Sequence, residues 1–219
     1  EVTGLTFRDL DIQVSGSNAY GAGVNVYSSS NITFDRVLVH GSMDGNASND
    51  TGGISFLSTS NIKVTNSEFT DLRQAVAVGG ANNVVISENN AHVLMKTGFV
   101  LSGASNVKVT GNVITDIRPI NGEHPDAIQF FTTGTTAAAH DIVVANNLIM
   151  RGAGAATQGI FFRDQVGNLP FQNVEITGNM VVGTGYGGIY VDGAKGLKIS
   201  GNELLSNPGD TNNTFMLTQ

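Results

Sequence analysis

The chain has 219 residues, of which 13% are charged, 28 are Gly and 4 are Pro, and its formal net charge is −7. This acidic balance, without any run of basic residues, argues against a nucleic-acid-binding protein, because such proteins present a basic face. No apolar stretch approaches the roughly 18 residues that suggest a membrane span. Cysteine is absent, which removes disulfides and thiol chemistry but does not define the compartment.

Val and Ile recur along the whole length, and both charge and Pro content are low. This composition favours one folded, β-rich domain over residues 1–219 rather than a disordered chain. The sequence starts at Glu1 without Met and stops abruptly at Thr218-Gln219. We therefore expect a processed product or an excised piece of a longer chain.

An internal repeat is the dominant feature of the sequence. Its first strand recurs eight times along the chain, starting at Gly4, Asn31, Asn61, Asn83, Asn106, Asp141, Asn173 and Gly196. The steps between these starts are 27, 30, 22, 23, 35, 32 and 23 residues. The shortest steps are 22 or 23 residues, and the others are longer. This indicates a coil of constant length that carries insertions in some copies.

Each coil holds a second strand with apolar residues at alternate positions. Its copies start at Gly23, Gly53, Ala75, Gly98, Ala127, Gly159 and Gly188. A period of two points one apolar set inward, and coils stacked about 4.8 Å apart bury that face jointly. For the first strand, this pattern predicts one inward stack that contains Ile62, Val84, Val107, Ile142, Val174 and Leu197.

A third short strand follows a polar turn at which Asn recurs. The five copies are Asn89, Asn112, Asn147, Asn179 and Asn202. Asn tolerates left-handed backbone conformations, and stacked amides form hydrogen-bonded ladders. The pattern predicts an internal Asn ladder; the alternative is a set of independent surface turns.

This three-strand repeat resembles the right-handed parallel β-helix superfamily, which includes pectate lyases, polygalacturonases, alginate epimerases and phage tailspikes. The resemblance covers essentially the whole chain. It implies an all-β, single-domain, right-handed parallel β-helix of about eight coils with three short strands per coil. It also implies an extracellular or cell-surface location, in a secreted bacterial protein or a virion. Function follows less directly, because one architecture carries many chemistries.

In that superfamily the second strands line the substrate cleft, and variable loops form its walls. The insertions that precede these strands are 40–52, 116–126 and 151–158, and those that follow them are 132–140 and 163–171. Long loops on one side of a regular scaffold are where function concentrates. The alternative is tolerated variation on an exposed edge.

The segment 121–131 places an imidazole, two carboxylates and Pro125 directly before a cleft strand. Asp126 is similar to the first Asp of the Asp-Gly-Ile motif of polygalacturonase-like chains, although Ala127 replaces the Gly. His124 suits general acid or base catalysis at neutral pH. The alternative role for His124 is a loop residue that fixes the turn.

Outward positions of the neighbouring coils supply further candidates. Gln129, Phe161 and Tyr190 should form one continuous column, with an aromatic pair that offers a sugar-stacking platform. Two residues further along lie Phe131, Arg163 and Asp192. Cations suited to a sugar carboxylate are Arg163 and the loop residues Lys96 and Arg118. Arg163 has the alternative of a surface ion pair with Asp164 or Asp192.

Two enzyme mechanisms are compatible with an acidic polysaccharide. A lyase or epimerase needs a cation, a base and a proton donor. Arg163 or Lys96 would be the cation, His124 the base and Tyr190 the proton donor, with Asp126 as a further catalytic residue. A hydrolase needs two carboxylates at about 5–5.5 Å or about 6.5–9.5 Å. Asp126 and Asp192 are about five residues apart along the strand direction, which exceeds both windows. Lyase or epimerase chemistry is therefore favoured.

The rival hypothesis is a non-catalytic glycan-binding or structural fibre segment, such as part of a phage tailspike or bacterial surface protein. Solenoids need covered ends, and neither terminus resembles a capping helix. A homotrimer or neighbouring domains would then cover the open coils. No Asp cluster with ligand spacing and no calcium-binding nonapeptide is present in the sequence, so we expect no cofactor, with calcium the only candidate.

Overall fold

The computed structural model describes residues 1–16, 21–120, 123, 125–185, 187–210 and 214–219. Along these residues the chain forms a series of short strands: β1 (Thr3–Arg8), β2 (Asp11–Gln13), β3 (Ala22–Tyr27), β4 (Ser30–Asp35), β5 (Leu38–His40), β6 (Gly52–Leu57), β7 (Ser60–Thr65), β8 (Glu68–Leu72), β9 (Val76–Gly79), β10 (Asn82–Ser87), β11 (Asn90–Leu94), β12 (Phe99–Ser102), β13 (Ser105–Thr110), β14 (Val113–Ile114), β15 (Asp126–Phe131), β16 (His140–Ala145), β17 (Leu148–Met150), β18 (Gln158–Arg163), β19 (Phe171–Thr177), β20 (Met180–Val182), β21 (Ile189–Asp192), β22 (Ala194–Ser200), β23 (Glu203–Leu205) and β24 (Met216–Thr218). A single 3₁₀ turn, Ala47–Asn49, lies between β5 and β6 in this part of the chain.

The strands form three parallel sheets of eight strands each. Every third strand belongs to the same sheet, so sheet A starts with β1 and β4, sheet B with β2 and β5, and sheet C with β3 and β6. One strand from each sheet makes one coil. The described residues therefore form a parallel β-helix of eight coils with three strands per coil, which confirms the predicted fold class.

The interior is built by the alternation that the sequence shows. Ile62, Val84, Val107, Ile142, Val174 and Leu197 are successive register partners across sheet A. The first five are at most 1% exposed, whereas Leu197, in the last coil, is only partly buried. The predicted inward stack is thus confirmed. Phe130 and Phe162 add a second stack beneath sheet C, with ring centroids 4.3 Å apart.

The turn between sheets A and B contains the Asn ladder. Each side-chain amide donates to the amide oxygen of the next Asn at 2.9–3.0 Å, in the order Asn89, Asn112, Asn147, Asn179 and Asn202. The first four are at most 2% exposed. Independent surface turns are therefore excluded. The ladder continues one coil further through Ser67, whose backbone N–H donates to Asn89 Oδ1 at 3.0 Å.

The long insertions all lie directly before or directly after a strand of sheet C. Those at 41–51, 115–125 and 151–157 connect sheet B to sheet C, and those at 132–139 and 164–170 connect sheet C to sheet A. Sheet C is therefore flanked by loops on both sides, as the sequence predicted. The described residues contain no helix of the length and apolarity that a membrane crossing requires.

Candidate functional site

The outward face of sheet C carries one continuous column of side chains parallel to the helix axis. Its members, in coil order, are Asn25, Ser55, Ala77, Val100, Gln129, Phe161, Tyr190 and Leu217. Seven spacings between parallel strands make this column about 34 Å long. The predicted adjacency of Gln129, Phe161 and Tyr190 is therefore present, within a much longer column.

Phe161 and Tyr190 form the apolar part of this face. Their rings stack with centroids 4.8 Å apart and an interplanar angle of 13°. In-register pairing of β18 with β21 places one ring directly over the other. Because both side chains are only partly buried, their outer surfaces offer a flat apolar platform with a phenol at one end.

A depression of about 560 Å³ opens around this platform. It is lined by Asp126, Gln129, Gln158, Phe161, Arg163, Gln165, Gly187, Tyr190, Phe215 and Leu217. Three of the four predicted catalytic residues, Asp126, Arg163 and Tyr190, thus line one concave surface. The fourth, His124, lies outside the described residues.

Asp126 is the chemically unusual member of this set. It starts β15, is 1% exposed, and has one carboxylate oxygen, Oδ1, without a hydrogen-bond partner among the described residues. Burial raises the pKa of Asp126 to about 8, because desolvation penalises the charged form. This carboxyl therefore holds its proton at neutral pH and titrates in the range of a catalytic group.

The two polar ends of the depression lie on opposite sides of the aromatic column. Gln158 is the register partner of Asp126, and Arg163 ends the same strand as Gln158. Five residues of extended strand separate Gln158 from Arg163, or about 16 Å between Cα atoms. An acidic group and a cation thus form the two walls of a groove whose floor is Phe161 and Tyr190.

Arg163 is held only weakly by its neighbour. Its Nε lies 3.7 Å from Asp192 Oδ2, and the two side chains are 53% and 32% exposed. Asp164 instead anchors the loop that follows β18, accepting hydrogen bonds from the backbone N–H groups of Gly167 and Leu169 at 3.0 and 2.8 Å. An exposed pair at this distance contributes little free energy, so Arg163 can exchange Asp192 for a ligand carboxylate.

Lys96 and Arg118 do not line this depression. Lys96 Nζ pairs with Glu123 Oε2 at 3.1 Å, and Arg118 Nη1 donates to the carbonyl oxygen of Gly45 at 3.3 Å. Both residues lie just after sheet B strands, where the chain turns towards sheet C, and their side chains bind loop atoms. That Lys96 and Arg118 bind a sugar carboxylate stays a prediction.

A second depression, of about 490 Å³, lies on the outer face of sheet A. Its two acidic side chains are already paired: Glu175 with Lys198 at 2.7 Å, and Asp141 with His140 at 2.7 Å. It lacks a buried titratable group, so its polar residues are those of a solvated sheet face.

Three carboxylates that sequence spacing did not bring together meet at the loop before β6. One oxygen from each of Asp44, Asp50 and Asp71 lies within 4.8 Å of the others. Asp71 belongs to the next coil, so no local motif contains all three. The signal that would have found them is the repeat itself, since pairing of His40 with Thr70 places the 41–51 loop beside Asp71.

Comparison with known proteins identifies the architecture. A family model described as "Right handed beta helix region" matches residues 2–134. The search of curated proteins finds no match.

Among solved structures, the catalytic domain of a GH87 alpha-1,3-glucanase in complex with tetrasaccharides is similar, with a TM-score of 0.60 and 11% identity. That similarity covers 99% of this chain and 48% of the glucanase chain, so this chain spans about half the length of that structure. The Streptococcus pneumoniae surface protein and adhesin PfbA has a TM-score of 0.55 and 14% identity, over 99% of this chain and 67% of its own. These similarities concern the fold. The chain belongs to the right-handed β-helix family.

Proposed function

We propose that this protein is a carbohydrate-active β-helix that acts on an acidic, uronate-containing polysaccharide as a lyase or C5-epimerase. The observation that carries the proposal is the buried carboxyl of Asp126, whose pKa is raised to about 8, in one depression with Arg163 and Tyr190. A titratable group tuned towards neutral pH, a cation and a phenol are the parts that abstraction of a proton beside a carboxylate requires.

The shape of the face favours a polymer over a single sugar. The column on sheet C extends past the depression through Val100, Ala77 and Ser55, which are small or apolar and line a further depression on the same face. A polysaccharide lying parallel to the helix axis would stack on Phe161 and Tyr190. It would then have Asp126 on one side and Arg163 on the other.

Each side chain has a distinct role in this proposal. Arg163 binds the uronate carboxylate and offsets the charge that develops as the adjacent C–H bond breaks. Asp126 is the base, and its raised pKa makes its ionised form a stronger base than an ordinary carboxylate. In an epimerase the Tyr190 phenol returns a proton to the same carbon from the other face of the ring; in a lyase it protonates the glycosidic oxygen as the adjacent C4–O bond breaks and the double bond forms. Hydrolysis is disfavoured because Asp126 is the only acidic side chain among the described residues that line the depression.

The relatives in fold are consistent with this class of activity. The glucanase structure is a complex with tetrasaccharides, so a domain of this architecture holds an oligosaccharide. PfbA is a surface protein and adhesin, and we propose a comparable extracellular or cell-surface location for this chain.

A second candidate function is non-catalytic glycan binding by a fibre or surface protein. The stacked pair of Phe161 and Tyr190 favours it, because a ring platform binds sugars whether or not catalysis follows. In that case a homotrimer or neighbouring domains would cover the apolar side chains that are exposed in the end coils, such as Leu5 and Met216.

The deciding experiment is a screen of alginate, pectate and other uronate polymers. Ultraviolet absorbance detects the unsaturated ends that a lyase makes, and exchange in heavy water detects an epimerase that makes none. We expect Asp126→Asn, Arg163→Gln and Tyr190→Phe each to lower the rate about 10²–10⁴-fold. Because Asp126 must be ionised to act as the base, the rate should rise as the pH passes through about 8.

Tyr27→Phe is the matched control. Tyr27 lies on the same sheet face in the first coil, far from the depression, and its variant should retain the full rate. Retention of activity by all three variants would remove this site. No activity in either assay, together with measurable polysaccharide binding, would favour the second candidate.

A further inference from the structure

The 41–51 loop packs against the third coil, away from the aromatic groove. Pairing of His40 with Thr70 brings Gly41 beside Asp71. Gly41 is required here, because a Cβ would collide with the carbonyl oxygen of Asp71 and with the carboxylate of Asp50. This close approach allows Asp44 and Asp50 from the loop to face Asp71 of the next coil.

The two loop carboxylates are oriented by neutral donors. Asp44 accepts hydrogen bonds from the backbone N–H of Asn46 at 2.8 Å and the side-chain amide of Asn49 at 2.9 Å. Asp50 accepts one from the backbone N–H of Ser42 at 2.8 Å. These bonds hold the carboxylates in place without neutralising them. Burial, with the charges of Asp71 and Asp44, raises the pKa of Asp50 above its ordinary value.

Asp71 provides the independent sign that a ligand belongs here. It is 2% exposed, and its Oδ2 accepts a hydrogen bond of 3.3 Å from the backbone N–H of Gly45. Its Oδ1 is buried and has no partner among the described residues. A buried carboxylate oxygen without a donor is costly, and more so when two further carboxylates lie close to the same group, unless a cation offsets the charge.

We propose that Asp44, Asp50 and Asp71 bind one calcium ion, which fastens the 41–51 loop to the third coil. All three ligands are oxygens, which hard cations prefer. At calcium–oxygen distances of about 2.3–2.6 Å, two ligands of one ion are at most about 5 Å apart. One oxygen from each of the three residues lies within 4.8 Å of the others, so the three can share one ion. An irregular loop suits the variable coordination of calcium better than the strict octahedron of magnesium.

The test is calorimetric titration of calcium chloride into the metal-free full chain, paired with thermal unfolding in chelator and in calcium. We expect one ion per chain. At a calcium concentration 100-fold above Kd, Tm should rise by about 5–10 °C. Asp71→Asn and Asp44→Asn should each weaken calcium binding at least 10-fold. In chelator, Asp71→Asn should be no less stable than the wild type, because it removes a like charge.

Asp164→Asn is the matched control. Asp164 also anchors a loop by accepting backbone hydrogen bonds, but it lies outside the three-carboxylate group. It should bind calcium as the wild type does. Asp44 is exposed, so its variant tests the site even if Asp71→Asn fails to fold. The proposal is overturned if the wild type gives neither heat nor a Tm shift, if Asp44→Asn binds calcium as tightly as the wild type, or if magnesium binds more tightly than calcium.

Discussion

The side-chain amide of Asn112 donates a 2.9 Å hydrogen bond to the amide oxygen of Asn147, one coil away, and both residues are at most 1% exposed. Asn147 repeats the arrangement towards the next coil and also donates to the carbonyl oxygen of Val109 at 2.9 Å. Each Asn of the ladder thereby satisfies buried backbone groups of a neighbouring coil. The ladder couples the coils along the axis, in addition to the sheet hydrogen bonds.

Asn147→Ala should lower the free energy of unfolding by about 1–3 kcal/mol, because it leaves buried donors and acceptors unpaired. Urea denaturation followed by circular dichroism measures the change. Asn82→Ala is the control: Asn82 is exposed in β10 and accepts one bond, from Asn106. Its loss should stay within about 0.5 kcal/mol. Equal effects of the two substitutions would contradict a structural role for the ladder.

Phe161→Ala and Tyr190→Ala should each weaken binding of an acidic polysaccharide by about 3–10-fold, because aromatic stacking contributes roughly 0.5–1.5 kcal/mol beyond area burial. Affinity electrophoresis in polymer-containing gels gives the ratio directly. Tyr27→Ala removes a ring of comparable size that is 54% exposed in the first coil, and it should leave the affinity unchanged. A platform that binds no sugar would show the same mobility for all three variants.

Arg163→Gln should weaken binding to an acidic polymer but not to a neutral one, since only the former offers a carboxylate to the guanidinium. Arg163→Lys should restore the affinity only in part, because an ammonium cannot form the bidentate contact. Measuring the affinity for each polymer at two ionic strengths separates the electrostatic contribution of Arg163 from the contribution of shape complementarity. Arg36→Gln is the control. The Arg36 side chain is 51% exposed and paired with Asp9, much as the 53% exposed Arg163 is paired with Asp192, and its substitution should leave the affinity for both polymers unchanged.

Asp126 should make the protein less stable as the pH rises. The pKa of Asp126 in the folded state is about 8, above the ordinary value of 3.8, so between these values the folded state binds the proton that the unfolded state has lost. The free energy of unfolding should therefore fall between pH 4 and 8, by at most about 1.4 kcal/mol per pH unit. Asp126→Asn cannot ionise, and the difference between its pH dependence and that of the wild type isolates this group. Parallel profiles for the two proteins would contradict the raised pKa.

The fold was largely predictable from local pattern. Ile62, Val84 and Val107 recur at coil-length intervals, and alternation with period two gives their side chains one direction. Stacking is then the only way to bury that face, so register follows from the repeat. The same reasoning predicted the contact of Phe161 with Tyr190, because in-register strands place equivalent positions side by side.

The sequence could not predict the features that lie outside the repeat, such as the burial of single polar side chains and the contacts between loops. The burial of Asp126 and its raised pKa depend on atoms from several coils around it, and desolvation has no local sequence signature. Likewise, the sequence did not predict the ion pair of Lys96 with Glu123, since long side chains on loops pair with whichever charge the tertiary structure brings near. Asp44 and Asp71 are far apart in sequence and meet only because a loop of one coil folds over the next. The sequence by itself determined the coil, its register and its inward and outward faces, because these follow from periodicity. Only the tertiary structure decided which polar side chains are buried, paired or brought together, because those contacts are made between insertions that obey no period.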